Sequence, residues 1–206
     1  MKIEVIKQKR KTYSLKLLDE NNAVLKVPIR ASQKDIDGFL SEKRSWIEKS
    51  AKKLSERSSF GKSFDFEKYI YLDGSVIGEM NQIVLGYDKM NQQQKERAIK
   101  KYYLSNFNVL ERLARETADR YGMTFDSVKP TTSTRIWGSF SSKRVMKLNW
   151  KLVILPINLA YYVICHELSH SKHFNHSPMF WAEVQKMCPE YKRLRKELQM
   201  YGFLLK

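Results

Sequence analysis

Residues 165–178 read "CHELSHSKHFNHSP" and hold every histidine of the chain: His166, His170, His173 and His176. His166 and His170 stand four residues apart behind an apolar lead-in, "YYVIC" (161–165). On a helix this spacing places both rings on one face, one turn apart, so two imidazole nitrogens can meet one cation. Glu167 lies about 100° further round the helix. It is poorly placed as a ligand there but within reach of a water beside the cation. This is the H-E-x-x-H arrangement, in which the glutamate serves as base. A histidine-rich surface helix is the plain alternative, and the apolar lead-in argues against it.

A catalytic zinc needs a third protein ligand and one open position. Three ligands along one straight helix, ending at His173, would span about 10 Å, too far for bonds near 2 Å. His176 follows Asn175, a residue that tolerates the left-handed conformation at helix ends. A turn there would bring His176 to the cation from another direction. The expected set is therefore His166, His170 and His176 around one Zn²⁺, with His173 beside the site or on the surface. Manganese, cobalt and nickel also accept imidazole. Cys165 should point away from the histidine face, and a sulfur ligand would close the open position. Cys165 and Cys188 read as core residues.

Working outward, "KIEVIK" (2–7), "TYSLKLL" (12–18) and "AVLKVP" (23–28) alternate with the period of strands, around a polar turn at "DENN" (19–22). Ser32 with Asp35 opens a capping box for a helix that should end near 55–63. Residues 66–88 read as short strands with a tight turn at Asp73-Gly74. One long helix is expected from Asn91 to Tyr121, stopped by Gly122. The stretch 133–150 should be extended at both ends with a turn or bulge at "GSFSSK" (138–143). A helix then runs through 158–174, Ser177-Pro178 opens another, and Pro189 breaks or restarts it. Together these give two regions: 1–90, β-rich with a helix near 33–57, and 91–206, which carries the histidines.

Lys and Arg number 38 against 22 Asp and Glu, a net charge of +16. Such a field attracts polyanions, whether nucleic acid, nucleotides or acidic surfaces. The basic residues are scattered, however, and densest only at "KQKRK" (7–11) and "KRLRK" (192–196), so solubility explains them equally well. No apolar run is long enough to span a membrane, and "MKIEVIKQKRKTYSLK" lacks the apolar core of a secretory signal. Two cysteines are too few for a disulfide framework. The expected compartment is the cytoplasm.

"TRIWGSFSSKRVMKLNW" (134–150) followed by "YYVICHELSHSKHFNHSPMFW" (161–181) resembles the YgjP-like metallopeptidase family of prokaryotes, related to the SprT-type zinc proteins. The resemblance rests on Arg135, Trp137, Gly138 and Ser139, on Asn149 and Trp150, on His166, Glu167, Leu168 and His170, and on Asn175, His176, Phe180 and Trp181. "FLSEKRSWIEK" (39–49) is similar to the family's front half. Two positions depart from the pattern: Phe140 replaces the usual cysteine, and Ile136 separates Arg135 from Trp137. The resemblance implies an α+β architecture, a zincin-like catalytic domain of a small twisted sheet beside an active-site helix, preceded by the β-rich part. It also implies a third histidine supplied after that helix, which again selects His176.

The implied chemistry is hydrolysis. A zinc held by three neutral imidazoles lowers the pKa of water to about 7, and Glu167 takes the proton and returns it to the leaving group. An oxyanion needs a further donor. Arg135, Tyr162 and Asn149 are candidates, and the resemblance favours Arg135; Trp137 and Trp181 read as core. An extended peptide can pair with the edge of a strand within 133–150, which favours a metallopeptidase. The alternatives are a nucleoside triphosphate pyrophosphohydrolase, suggested by the charge but lacking a Gly-rich phosphate loop and a carboxylate cluster, and a protease recruited to nucleic acid by its basic surface. A purely structural zinc leaves Glu167 without a purpose. The substrate is expected to be a peptide or protein.

Overall fold

The computed structural model describes residues 1–66 and 68–205. The chain divides into two compact units, with the division between Ser63 and Phe64. In the first, β1 (Lys2–Gln8), β2 (Ser14–Leu17) and β3 (Asn22–Pro28) form a sheet of order β1-β3-β2, β1 parallel and β2 antiparallel to β3. The polar turn forms because the Asp19 carboxylate accepts the backbone N–H groups of Asn21 and Asn22. Helix α1 (Gln33–Lys62) starts at the expected capping box, with Ser32 and Asp35 bonded reciprocally, and ends within the expected 55–63 stretch. Leu25, Val27, Ala31 and Ile36 form the core of this unit, covered by Ile3, Tyr13, Leu15, Phe39 and Leu40.

The second unit begins with a hairpin, β4 (Tyr69–Leu72) and β5 (Ser75–Glu79), then a short α2 (Met80–Ile83). The hairpin is held to this unit in part by the buried Tyr103 hydroxyl, which accepts the Tyr71 N–H at 2.9 Å. Tyr103 lies on α3 (Gln92–Ser105), which is followed by α4 (Asn108–Tyr121). The sequence predicts one helix here; the chain instead breaks at Asn106–Phe107. The Asn106 side chain donates to the Tyr102 carbonyl at 2.9 Å, the local competition with backbone bonding that makes asparagine a poor helix interior residue.

A second three-stranded sheet follows, of order β6-β8-β7: β6 (Ser127–Thr131) parallel to β8 (Val145–Asn149), and β7 (Gly138–Phe140) antiparallel to it. "GSF", expected within a turn, is strand β7 itself; the turn is confined to Ser141–Arg144, closed by the Ser141 N–H on the Val145 carbonyl. Helix α5 (Ile157–Ser169) carries the H-E-x-x-H segment and is the central element: α4, α6 (Pro178–Met187), α7 (Tyr191–Leu198) and the β7 and β8 strands all pack against it. It is apolar nearly all round, and Leu159, Ala160, Val163, Ile164, Cys165 and Leu168 are buried, as a helix enclosed on every side requires. The architecture is α+β, with small sheets and seven α-helices among the described residues.

The hairpin tip secures the start of α5. Asp73 (φ 49°) and Gly74 (φ 74°) form the left-handed pair of a tight two-residue turn. The Asp73 carboxylate accepts the Ile157 N–H at 2.6 Å, satisfying an N-terminal donor that the helix itself cannot, and the Gly74 N–H reaches the Ile154 carbonyl at 3.1 Å. A Cβ on Gly74 would lie 2.7 Å from Pro156 Cγ. Gly74→Ala should therefore cost roughly 2–4 kcal/mol by backbone strain and overpacking together. Ser75→Ala, on the exposed side of the turn, should be near neutral; urea unfolding of the two variants compares them.

Candidate metal centre

Helix α5 ends one residue before His170, which caps it. The His170, Ser171 and Lys172 N–H groups turn back onto the Glu167, Leu168 and Ser169 carbonyls, tightening the last turn. The chain thus leaves the helix earlier than the sequence predicts. Asn175 does not adopt the left-handed conformation, since the only non-glycine residues with positive φ among those described are Asp73 and Arg144; the chain nevertheless bends at Phe174–Asn175, as expected. The loop is pinned by the Lys172–Glu183 ion pair at 2.9 Å. It then enters α6, whose Ser177 hydroxyl accepts the Phe180 N–H with Pro178 at the first helical position, as expected.

This path brings His166, His170 and His176 together, with one ring nitrogen of each within 4.8 Å of the others. The Nε2 atoms of His166 and His176 lie 3.0 Å apart. His170 Nδ1 is bonded to the His173 backbone carbonyl at 3.0 Å, which turns its Nε2 towards the other two rings. The contribution of His173 is thus its carbonyl, and its imidazole lies outside the cluster. Phe180, fully buried, packs against all three rings at centroid separations of 4.6–4.9 Å. Trp181 stands 5.7 Å from His166 and 5.8 Å from His176.

The donor set fits a divalent cation. Burial, then the neighbouring His170 and His176, holds His166 down to a pKa of about 3, and burial also lowers His170. Both rings are therefore neutral near pH 7, as ligands must be. The 3.0 Å between the His166 and His176 Nε2 atoms is close to the separation that two bonds of about 2.0–2.1 Å to one tetrahedral ion require. His166 Nδ1 is buried without a hydrogen-bond partner, so Nε2 is the nitrogen through which that ring meets polar company.

Glu167 is 5 % exposed, and desolvation raises its carboxyl to a pKa of about 8. It lies against Gly138 of β7: a Cβ there would stand 2.7 Å from Glu167 Oε1 and 2.8 Å from Cγ. The glycine of "WGS" thus leaves room for the carboxylate, a requirement that no local sequence signal reveals. Glu167 and His166 open onto a cleft of about 290 Å³ lined also by Arg135, Ile136, Trp137, Tyr162 and Leu198.

The candidate oxyanion donors fall in different places. Asn149 is fully buried and its amide is already engaged: it donates to the Ser133 and Ile136 carbonyls at 2.8 and 3.2 Å and accepts the Lys151 N–H. It shapes the loop carrying Arg135 and has no hydrogen left for a substrate. Arg135 is exposed at the cleft. Tyr162, one turn before His166, lines the cleft with burial pushing its phenol up to about 12, so it stays protonated. Trp137, predicted as core, is half-buried and lines the same cleft; Trp181 is half-buried beside the histidines. Cys165 and Cys188 are buried as expected, and desolvation raises the Cys165 thiol to about 12.

A family model described as YgjP-like, metallopeptidase domain, matches residues 11–201. Neither a curated protein nor a solved structure matches the chain.

Elemental analysis of zinc-loaded protein should find about one ion per chain. His166→Ala, His170→Ala and His176→Ala should each lose most of it, and His173→Ala, which keeps the backbone carbonyl, should retain it. Chelation should lower the Tm of the wild type and leave that of His176→Ala unchanged.

Proposed function

The chain belongs to the YgjP-like metallopeptidase family, a family of metal-dependent hydrolases, and from that premise we propose that it is a zinc peptidase in which Glu167 is the general base. The observation that carries this reading is the joint placement of a three-histidine cluster, a buried carboxylate and an open strand edge around one cleft. His166, His170 and His176 would hold the ion. A zinc ion bound there supplies Lewis acidity, drawing electron density from a substrate carbonyl and making water a nucleophile near neutral pH.

The remaining steps fall to the protein. Glu167, with its raised proton affinity, accepts the proton of the attacking water and delivers it to the departing amine. Gly138 fixes where that carboxylate stands. Tyr162, protonated and facing the cleft, and Arg135 at its mouth are the donors available to the developing oxyanion.

Strand β7 supports a peptide substrate. The Trp137 carbonyl accepts the Asn149 N–H and the Ser141 N–H donates to the Val145 carbonyl, and with Ser139 opposite Lys147 the alternation of an antiparallel pair turns the N–H and C=O groups of Gly138 and Phe140 to the free edge. An extended peptide adding to that edge runs past Glu167. The nucleotide alternative lacks such support: among the described residues no acidic cluster forms a second three-donor site. No described helix is long and apolar enough to cross a membrane.

Glu167→Gln should retain the metal and lower peptide cleavage by at least about 100-fold. Gly138→Ala, which forces the carboxylate aside, should lower kcat with metal content unchanged. Cleavage of casein or a peptide library, set against pyrophosphate release from nucleoside triphosphates, tests the reaction class; pyrophosphate release without peptide cleavage would reject a peptidase.

A further inference from the structure

The basic run at 192–196 is used neither by the core nor by the hydrolysis proposed above. Helix α7 buries Tyr191, Leu194 and Leu198, which leaves its cations outside. Arg193 is engaged by Glu190 and Glu197. Lys192, Arg195 and Lys196 have no carboxylate partner among the described residues. With Trp181, Tyr191 and Gln199 they line a groove of about 410 Å³.

This groove adjoins the histidine cluster. The Arg195 guanidinium lies 4.8 Å from the Trp181 ring centre; Trp181 in turn stacks on His176 at 5.8 Å and on Tyr191 at 5.4 Å. These separations put the guanidinium within about 11 Å of the His176 ring, a span of about three residues of extended chain. Helix α7 also borders the catalytic cleft through Leu198, so one helix flanks cleft and groove.

Stacking on Trp181 holds the guanidinium plane while leaving its N–H edges free to grip a carboxylate in two places. Lys192 and Lys196, one turn apart on the same helix, add positive potential on its flank. We propose that this groove is a substrate subsite selecting peptides with an aspartate or glutamate side chain two or three residues from the scissile bond. The assignment rests on the peptidase reading for its substrate class. It gives the basic run a role that solubility does not require: three unpaired cations gathered around an aromatic stack.

The test uses the full-length zinc-loaded protein. Rhodamine-labelled, C-terminally amidated decapeptides, identical except for Glu or Gln at those positions, are titrated against Glu167→Gln by fluorescence anisotropy and assayed with the wild type for cleavage. The Glu peptide should bind about tenfold more tightly at low salt, and the ratio of kcat/KM values should favour it similarly. Arg195→Glu should invert the ratio towards a Lys peptide, and Lys192→Gln with Lys196→Gln should shrink it. Equal binding of the Glu and Gln peptides, or a preference that survives both variants, overturns the subsite. So does an oligonucleotide of equal net charge that binds more tightly than the Glu peptide in an Arg195-dependent way. Cleavage with no acidic preference retires the subsite and keeps the peptidase. Arg195-dependent Glu binding without cleavage of any peptide retires the peptidase and keeps the groove as a carboxylate site.

Discussion

The structure depends on holding polar groups inside a helix that its own composition drives into the interior. Helix α5 is apolar nearly all round, and burying it is the main favourable term available to the second unit. The same helix carries His166 and Glu167 into surroundings where an unpaired polar group is costly. His166 keeps a buried Nδ1 without a partner, and burial raises the Glu167 carboxyl to a pKa of about 8. Burial thus creates the conditions for binding and for proton transfer together: it keeps His166 and His170 neutral, hence ligating, and keeps the carboxylate basic.

The supports around α5 follow from that constraint. Its start is tied to the Asp73-Gly74 hairpin tip and its end is tightened into a turn whose His173 carbonyl orients His170. Phe180 fills the space beneath all three imidazoles, so rotating any ring would open a void in close-packed surroundings. Asn149 gives both amide hydrogens to the 133–137 loop and its carbonyl oxygen to the Lys151 N–H, and that loop delivers Gly138 to Glu167. Each contact is modest by itself. Together they leave the histidines and the glutamate few alternative rotamers, the pre-organisation that a reactive site requires.

Much of this was legible in the sequence, and the limits have physical causes. Patterns set within a few residues were readable: the capping box at Ser32 and Asp35, the tight turn at Asp73-Gly74, the Ser177-Pro178 helix start, and the four-residue spacing of His166 and His170. The rise per residue was enough to move His173 out of a common site with both. Features set by distant parts of the chain were not readable. That "GSF" is an edge strand depends on pairing with β8, and that Gly138 must lack a side chain depends on a carboxylate 29 positions away. The bend at Asn175 is legible in the sequence, though not through a left-handed residue; the earlier exit from the helix, set by the i→i+3 bonds after Glu167, is not. Trp137 and Trp181 were placed in the core on size alone, whereas each divides its surface between packing and a cleft.

The same geometry sets a cation beside the metal centre. Arg195 meets the Trp181 ring and Trp181 meets His176, so the aromatic ring links the guanidinium to the histidine cluster. With the metal in place the cleft and its flank form a continuous positive field, focused by low-dielectric aromatic walls. A peptide that meets this field with a carboxylate at the flank is drawn in by one end, and its neutral backbone is left to pair with the edge of β7. In that arrangement the charge selects the substrate and the strand orients it, and neither group has to enter the reaction itself.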